Sequence, residues 1–199
     1  MFCCYTESPY FCRPKKSSMG YKREFDIAFV GLKPGTHVYN YDIRDSFFES
    51  YGQQDFSNCN AAVKLSLEKD NGFMLLHFDI SGTVDVDCDR CGNPLTKDLW
   101  DEFNLVVKLV EEPDAMNESE EDPDVFYISR TESHLHLSDF IYEFVCLSVP
   151  LQRMCGEDET GNTKCNPEVI EKLRLMEEQV AREANPLWQG LDKFKDLEN

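Results

Sequence analysis

The first half of the chain alternates. Phe25, Ile27 and Phe29 interleave with Glu24, Asp26 and Ala28, the period of two expected of a strand with one buried face. Lys33-Pro34-Gly35 reads as a turn. Residues 37–44 follow, with Tyr39, Tyr41 and Ile43 set against Val38, Asn40 and Asp42. Residues 45–51 fit a short helix carrying Phe47, Phe48 and Tyr51 on one side. A hairpin comes next: residues 61–69 with Val63, Leu65 and Leu67 in register, then Asp70-Asn71-Gly72, then residues 73–80. An Asn-Gly pair suits the positive φ of a tight turn. Val84 and Val86 carry the strand pattern on to Asp87.

Phe103, Leu105, Val107 and Leu109 alternate with Glu102, Asn104, Val106 and Lys108, which predicts another half-buried strand. Residues 111–124 hold eight acidic residues and no basic one, a composition expected of a solvated, mobile loop. Residues 125–129 read as a strand. Ser138 stands as an N-cap before a helix over 139–147 that stops ahead of Pro150. Asn166 and Pro167 open a second helix, whose Val169, Leu173, Met176 and Val180 recur at helical spacing and should pack on a neighbour. Asn185-Pro186 starts a last short helix with Leu187, Leu191 and Phe194 aligned. Together these predict an α+β fold: mainly antiparallel sheet, with scope to curl toward a barrel, a helix after Ser138 and a C-terminal helical tail over 166–199. Residues 19–199 are expected to be a single domain. Residues 1–18 lack periodicity and read as a disordered extension ahead of Met19, a plausible natural start.

Charge narrows the function. The 199 residues carry a formal charge of −18. Nucleic-acid binding rests on Lys and Arg neutralising phosphates, so this surface disfavours DNA and extensive direct RNA contact, and suits a basic protein partner. No run reaches the roughly 18 apolar residues of a membrane span, and no signal-peptide pattern opens the chain. Both point to a cytoplasmic protein. Nine cysteines, an odd number, do not read as a disulfide scaffold in that compartment.

Cys88-Asp89-Arg90-Cys91-Gly92 carries the candidate chemistry. Two cysteines at this spacing can turn both sulfurs to one point, and the glycine lets the backbone fold tightly behind them. Such a knuckle binds zinc, exchanges disulfides or simply packs. A closed zinc site needs two more ligands, and Cys155 and Cys165, in a polar glycine-containing loop, are the candidates. A thioredoxin-like motif would sit at a helix N-terminus, whereas strand-like sequence follows Cys91. Cys146 and Cys59 read as packing residues, and His134 and His136 as surface or edge residues. No phosphate loop, nucleophile elbow or Ser/His/Asp constellation is present, so no catalytic residue is assigned.

The order of these elements resembles the YceD family, the large ribosomal RNA subunit accumulation proteins. The resemblance runs from near Met19 to the C-terminus. It comprises Cys88 and Cys91 after a β-rich half, an acidic strand-bearing segment, the helix over 139–147 with Glu143 inside it and Val149-Pro150 closing it, and a cysteine-bearing loop. Asn185-Pro186-Leu187-Trp188…Leu191 is similar to the family's closing motif. Many members carry a denser cysteine group in the late loop than Cys155 and Cys165 provide here. The resemblance implies a small bacterial or plastid protein required for normal large-subunit ribosomal RNA levels. With no enzymatic activity established for the family and an acidic surface, the expectation is a non-enzymatic ribosome-biogenesis factor that binds a basic ribosomal protein or a pre-ribosomal particle. Two other readings remain open from the sequence: a thiol enzyme or redox sensor using Cys88 and Cys91, and a zinc-ribbon transcription accessory.

Overall fold

The computed structural model describes residues 23–157 and 161–182. The extension over 1–18 and the closing motif at 185–191 lie outside them. Seven strands and four α-helices follow in chain order among the described residues: β1 (Asp26–Ile27), β2 (Gly35–Arg44), α1 (Asp45–Phe48), β3 (Phe56–Lys69), β4 (Phe73–Asp87), β5 (Pro94–Val110), α2 (Pro113–Ser119), β6 (Val125–Ser129), β7 (Leu135–His136), α3 (Ser138–Leu147) and α4 (Pro167–Arg182). The fold is α+β. Its centre is one five-stranded sheet in the order β2-β3-β4-β5-β6, antiparallel except for the parallel β5–β6 pair. The sheet stays open rather than closing as a barrel. β2 and β6 remain its two ends, and β1 pairs with β7 in a separate small ribbon.

One face of the sheet is buried because the alternation is in register across the strands. Val63 lies opposite Ile80, Leu65 opposite Phe78, and Leu67 opposite Leu76. Leu76 in turn faces Leu105. All of these are buried. Aromatic rings from α1, the turn after it and α3 close over this face. Phe103 stacks on Phe144 at 4.5 Å, Tyr51 stacks on Tyr142 at 4.0 Å, and Phe48 meets Phe56 edge-on at 5.0 Å. Such pairs add roughly 0.5–1.5 kcal/mol each beyond their burial.

Four expectations need correction. Phe25, Ile27 and Phe29 are buried as the alternation requires, but short 3-10 turns at Arg23–Phe25 and Phe29–Gly31 leave β1 only two residues long. The acidic segment 111–124 is not loop throughout, because it contains α2. The Asn117 side chain takes the place of a neighbouring strand. Its amide donates to the Tyr127 carbonyl at 2.9 Å, and its oxygen accepts the Tyr127 N–H at 2.8 Å. The Tyr127 hydroxyl donates to Glu120 at 2.6 Å, which holds that carboxyl below its usual range. Ser138 is the first helical residue of α3, not its cap, and no side-chain cap bond forms there. Lastly, the apolar stripe of α4 is largely open: Met176 is 59% and Val180 72% exposed. Asn166 does cap α4, its side-chain oxygen accepting the Glu168 N–H at 3.0 Å.

β3 carries a bulge between Ser57 and Asn60. Asn58 sits at φ +52. The N–H groups released from the ladder are satisfied by Asp45, which accepts from Asn58 at 3.0 Å and from Cys59 at 2.7 Å. The bulge presses backbone onto β4 opposite Gly82, at φ +150, where a Cβ would overlap the Asn60 carbonyl oxygen and lie 2.7 Å from Ala61 Cα. Only glycine fits there.

Candidate metal centre

Cys88 follows the last residue of β4, and Cys91 lies in the turn before β5. The turn is closed by two backbone bonds of 2.8 Å, from the Cys88 N–H to the Asn93 carbonyl and from the Gly92 N–H to the Cys88 carbonyl. Gly92 takes φ +71, which lets the chain reverse immediately behind the second sulfur. The second pair comes from the loop before α4. Lys164 donates its N–H to the Gly156 carbonyl at 2.9 Å, and Glu157 bridges Thr163, so Cys155 and Cys165 flank a small antiparallel turn of their own.

The two turns meet. The Asp89 N–H donates to the Arg153 carbonyl at 2.7 Å, and the Arg153 N–H donates to the Asp89 carboxylate at 2.9 Å. The Arg153 guanidinium also pairs with Asp55 at 2.6 Å, and Lys97 Nζ donates to the Met154 carbonyl at 3.2 Å. Residues 92–154 separate the pairs in sequence, yet all four sulfurs lie within 4.8 Å of one another. Cys88 and Cys165 approach to 3.9 Å, and Cys91 and Cys155 to 3.7 Å. A tetrahedron with Zn–S bonds of about 2.3 Å has S···S edges of about 3.8 Å. The spacing therefore fits a four-thiolate zinc site, with Cys88 and Cys165 buried and Cys91 and Cys155 half-buried.

Two thiols of the cluster are shifted in opposite directions. Burial works against the Cys88 thiolate, but the N–H groups of Cys91 and Arg90, joined by Cys155, outweigh it and bring the thiol down to about 6. Cys155 is pushed up to about 12 by burial and by the other sulfurs around it. The Cys88 thiolate is favoured, and a second at Cys155 is opposed by burial and by sulfurs less than 5 Å away. A divalent ion at the centre removes that resistance, as it does for coordinating thiols generally.

The remaining candidates stand apart. Cys59 is buried in β3 with its thiol 3.9 Å from the Ile43 carbonyl, and burial with the nearby Asp45 carboxylate pushes that thiol up to about 11. Cys146 lies in α3 and is also pushed up by burial. Both fit packing thiols. His136 pairs with Asp26 across the β1–β7 ribbon at 2.7 Å, and His134 meets Ser133 at 2.8 Å. Neither approaches the sulfurs. No helix begins at the Cys88–Cys91 turn, since β5 follows it. Asp89 and Arg153, which join the two turns, carried no signal in the sequence beyond lying beside cysteines. Among the described residues no helix is long and apolar enough to cross a membrane.

Fold and cluster together define an open, mainly antiparallel sheet protein whose C-terminal helical segment is tied to the sheet by two opposed cysteine turns. The chain belongs to the YceD family: the family model described as "Large ribosomal RNA subunit accumulation protein YceD" matches residues 76–195. The match starts within β4 and takes in all four clustered cysteines, leaving β1 to β3 outside it. No curated protein and no solved structure matches the chain. Membership ties the protein, by the family's description, to the accumulation of large-subunit ribosomal RNA.

Proposed function

We propose that the protein is a non-enzymatic ribosome-biogenesis factor of the cytoplasm. It supports accumulation of large-subunit ribosomal RNA by binding a basic ribosomal protein or a pre-ribosomal particle. The observation that carries this reading is the family match across 76–195. The charge of −18 supports action through protein: it repels phosphate and attracts a Lys/Arg-rich surface. Cys88, Cys91, Cys155 and Cys165 hold a structural zinc. Four thiolates leave no open position for water or substrate, so the ion clamps the late loop to the sheet rather than reacting.

The test is purification of the tagged protein from its own cells, with bound proteins and RNA identified before and after ribonuclease treatment. Zinc content and thiol titration are read on the same sample. The expected result is a basic large-subunit protein or large-subunit precursor, about one zinc per chain, and unreactive Cys88 and Cys91. Enrichment that vanishes with ribonuclease would shift the contact to RNA. Zinc-free protein whose Cys88 and Cys91 exchange with disulfides would replace this reading by a thiol-redox role.

A further inference from the structure

We propose that the outer edge of β5 from Leu95 to Leu105 is a docking site for an extended, Lys/Arg-rich segment of a partner protein, taken up as an added strand. The proposal rests on the reading above that the partner is basic, and it names the surface that receives it. β5 pairs with β4 along its length, but β6 registers only with Val106–Val110. Along 95–105 no strand covers the other side among the described residues, and no turn or loop backbone bonds to that stretch. Every second residue there turns its N–H and C=O away from β4. The stretch would span about ten residues of an added strand, roughly 35 Å at about 3.3 Å per residue. It contains no proline that would remove a donor.

Side chains on this edge choose the occupant. Trp100 is 79% exposed on the face turned away from the core, opposite Ser81. Asp98 and Glu102 flank it along the strand on that face, and Asp101, opposite Ile80, is exposed on the other face of the same edge. Glu102 also lies 4.0 Å from His77 Nε2. The basic residue of the stretch, Lys97, donates to the Met154 carbonyl. Proteins blunt free edges with charge, but a blunted edge gains nothing from displaying its largest apolar side chain to water. An indole between carboxylates suits an Arg or Lys, which can stack on the ring while pairing with the acids.

A second copy of this chain would bring like charges, and nucleic acid would bring phosphates, both repelled at −18. The other free edge, β2, offers no such preference. Asp42 and Arg44 balance each other on its open face, and Val38 is the large apolar side chain there. The outer side of β6 is occupied at Tyr127 by Asn117. Strand addition of this kind draws affinity from main-chain bonds and selectivity from alternate side chains.

The test titrates the full-length protein with a synthetic alternating Lys/Val peptide of about ten residues. Backbone amide shifts measure binding and locate it in every variant, and tryptophan fluorescence follows it in the proteins that keep Trp100. We expect binding that weakens with salt and perturbs the amides of residues 95–105. It should fall at least about tenfold in Trp100→Ala and in the combined Asp98→Lys, Asp101→Lys, Glu102→Lys variant. All four positions are exposed, so both variants should keep the fold, which amide spectra check. The same peptide N-methylated at alternate amides should not bind, and a Glu/Val peptide should not bind. Equal affinity in the variants, shifts mapped elsewhere, tight binding of the N-methylated peptide, or no binding at all would each overturn the proposal. The variants also enter the co-purification. If wild type and the triple variant retain the same ribosomal partner equally, the edge proposal fails and the biogenesis reading stands. Edge-dependent peptide binding by a protein that retains no ribosomal component has the reverse meaning.

Discussion

Replacing Cys165 by serine should open the late loop while leaving the sheet folded. The substitution removes one of four sulfurs that lie within 4.8 Å of one another, and with it the fourth ligand that a closed zinc shell would need. What then ties the loop to the sheet are the two Asp89–Arg153 bonds, the Arg153 contacts to Asp55 and the Lys97–Met154 bond. A net hydrogen bond contributes about 0.5–1.5 kcal/mol, and an exposed ion pair adds no more than about 1 kcal/mol. Taken at mid-range these sum to about 4 kcal/mol, before the ordering entropy of the loop is subtracted. At 1.4 kcal/mol per decade, amides of residues 151–157 should be protected from exchange by no more than about a thousandfold in the variant. With zinc in place the ion supplies about 10–16 kcal/mol, and the loop should open only when the whole protein unfolds. Hydrogen exchange read by mass spectrometry on wild type and variant measures the difference. Protection in β3 and β4 should hold, because their core pairs do not involve the cluster. α4 should exchange as fast as the loop, since its Met176 and Val180 are open to solvent. Wild-type protection over 151–157 in the variant would show that packing holds the loop. Collapse of the sheet would show that the cluster is part of the main core.

Three further outcomes are expected. Gly82→Ala places a methyl group against the Asn60 carbonyl at a φ of +150, which should cost about 2–4 kcal/mol and lower Tm by roughly 5–15 °C; an unchanged Tm would mean the bulge can move away. Asp45→Ala strands the Asn58 and Cys59 N–H groups and should cost about 1–3 kcal/mol in urea unfolding, with Asp45→Asn recovering part; equal losses in both would count against the bulge-capping role. Deleting residues 1–18 should leave the thermal transition where it is, and a clear fall would show that the segment packs.

The strands were readable because a half-buried strand writes its burial into sequence with a period of two. Leu65, Leu67, Leu76, Phe78, Leu105 and Val107 all lie on the buried face, as the alternation requires. Helix α4 was readable from Asn166 and Pro167, because capping is local. What those patterns could not carry was decided in three dimensions. Phe25 and Phe29 reach the core from 3-10 turns and Ile27 from a two-residue strand, since burial constrains where a side chain points and not how the backbone brings it there. The stripe on α4 was periodic but stays exposed, because periodicity records an apolar face and not whether anything covers it. The parallel run of β6 beside β5 depends on the path through residues 111–124, where Asn117 bonds to Tyr127 ten positions away. For the cluster, the Cys88–Cys91 spacing is local and visible, and Cys155 and Cys165 could be named only as candidates. Their convergence follows from the sheet turning the end of β4 toward the loop after α3, and from Asp89 and Arg153 clasping across residues 92–154. Contacts so far apart in sequence leave no periodic trace in it.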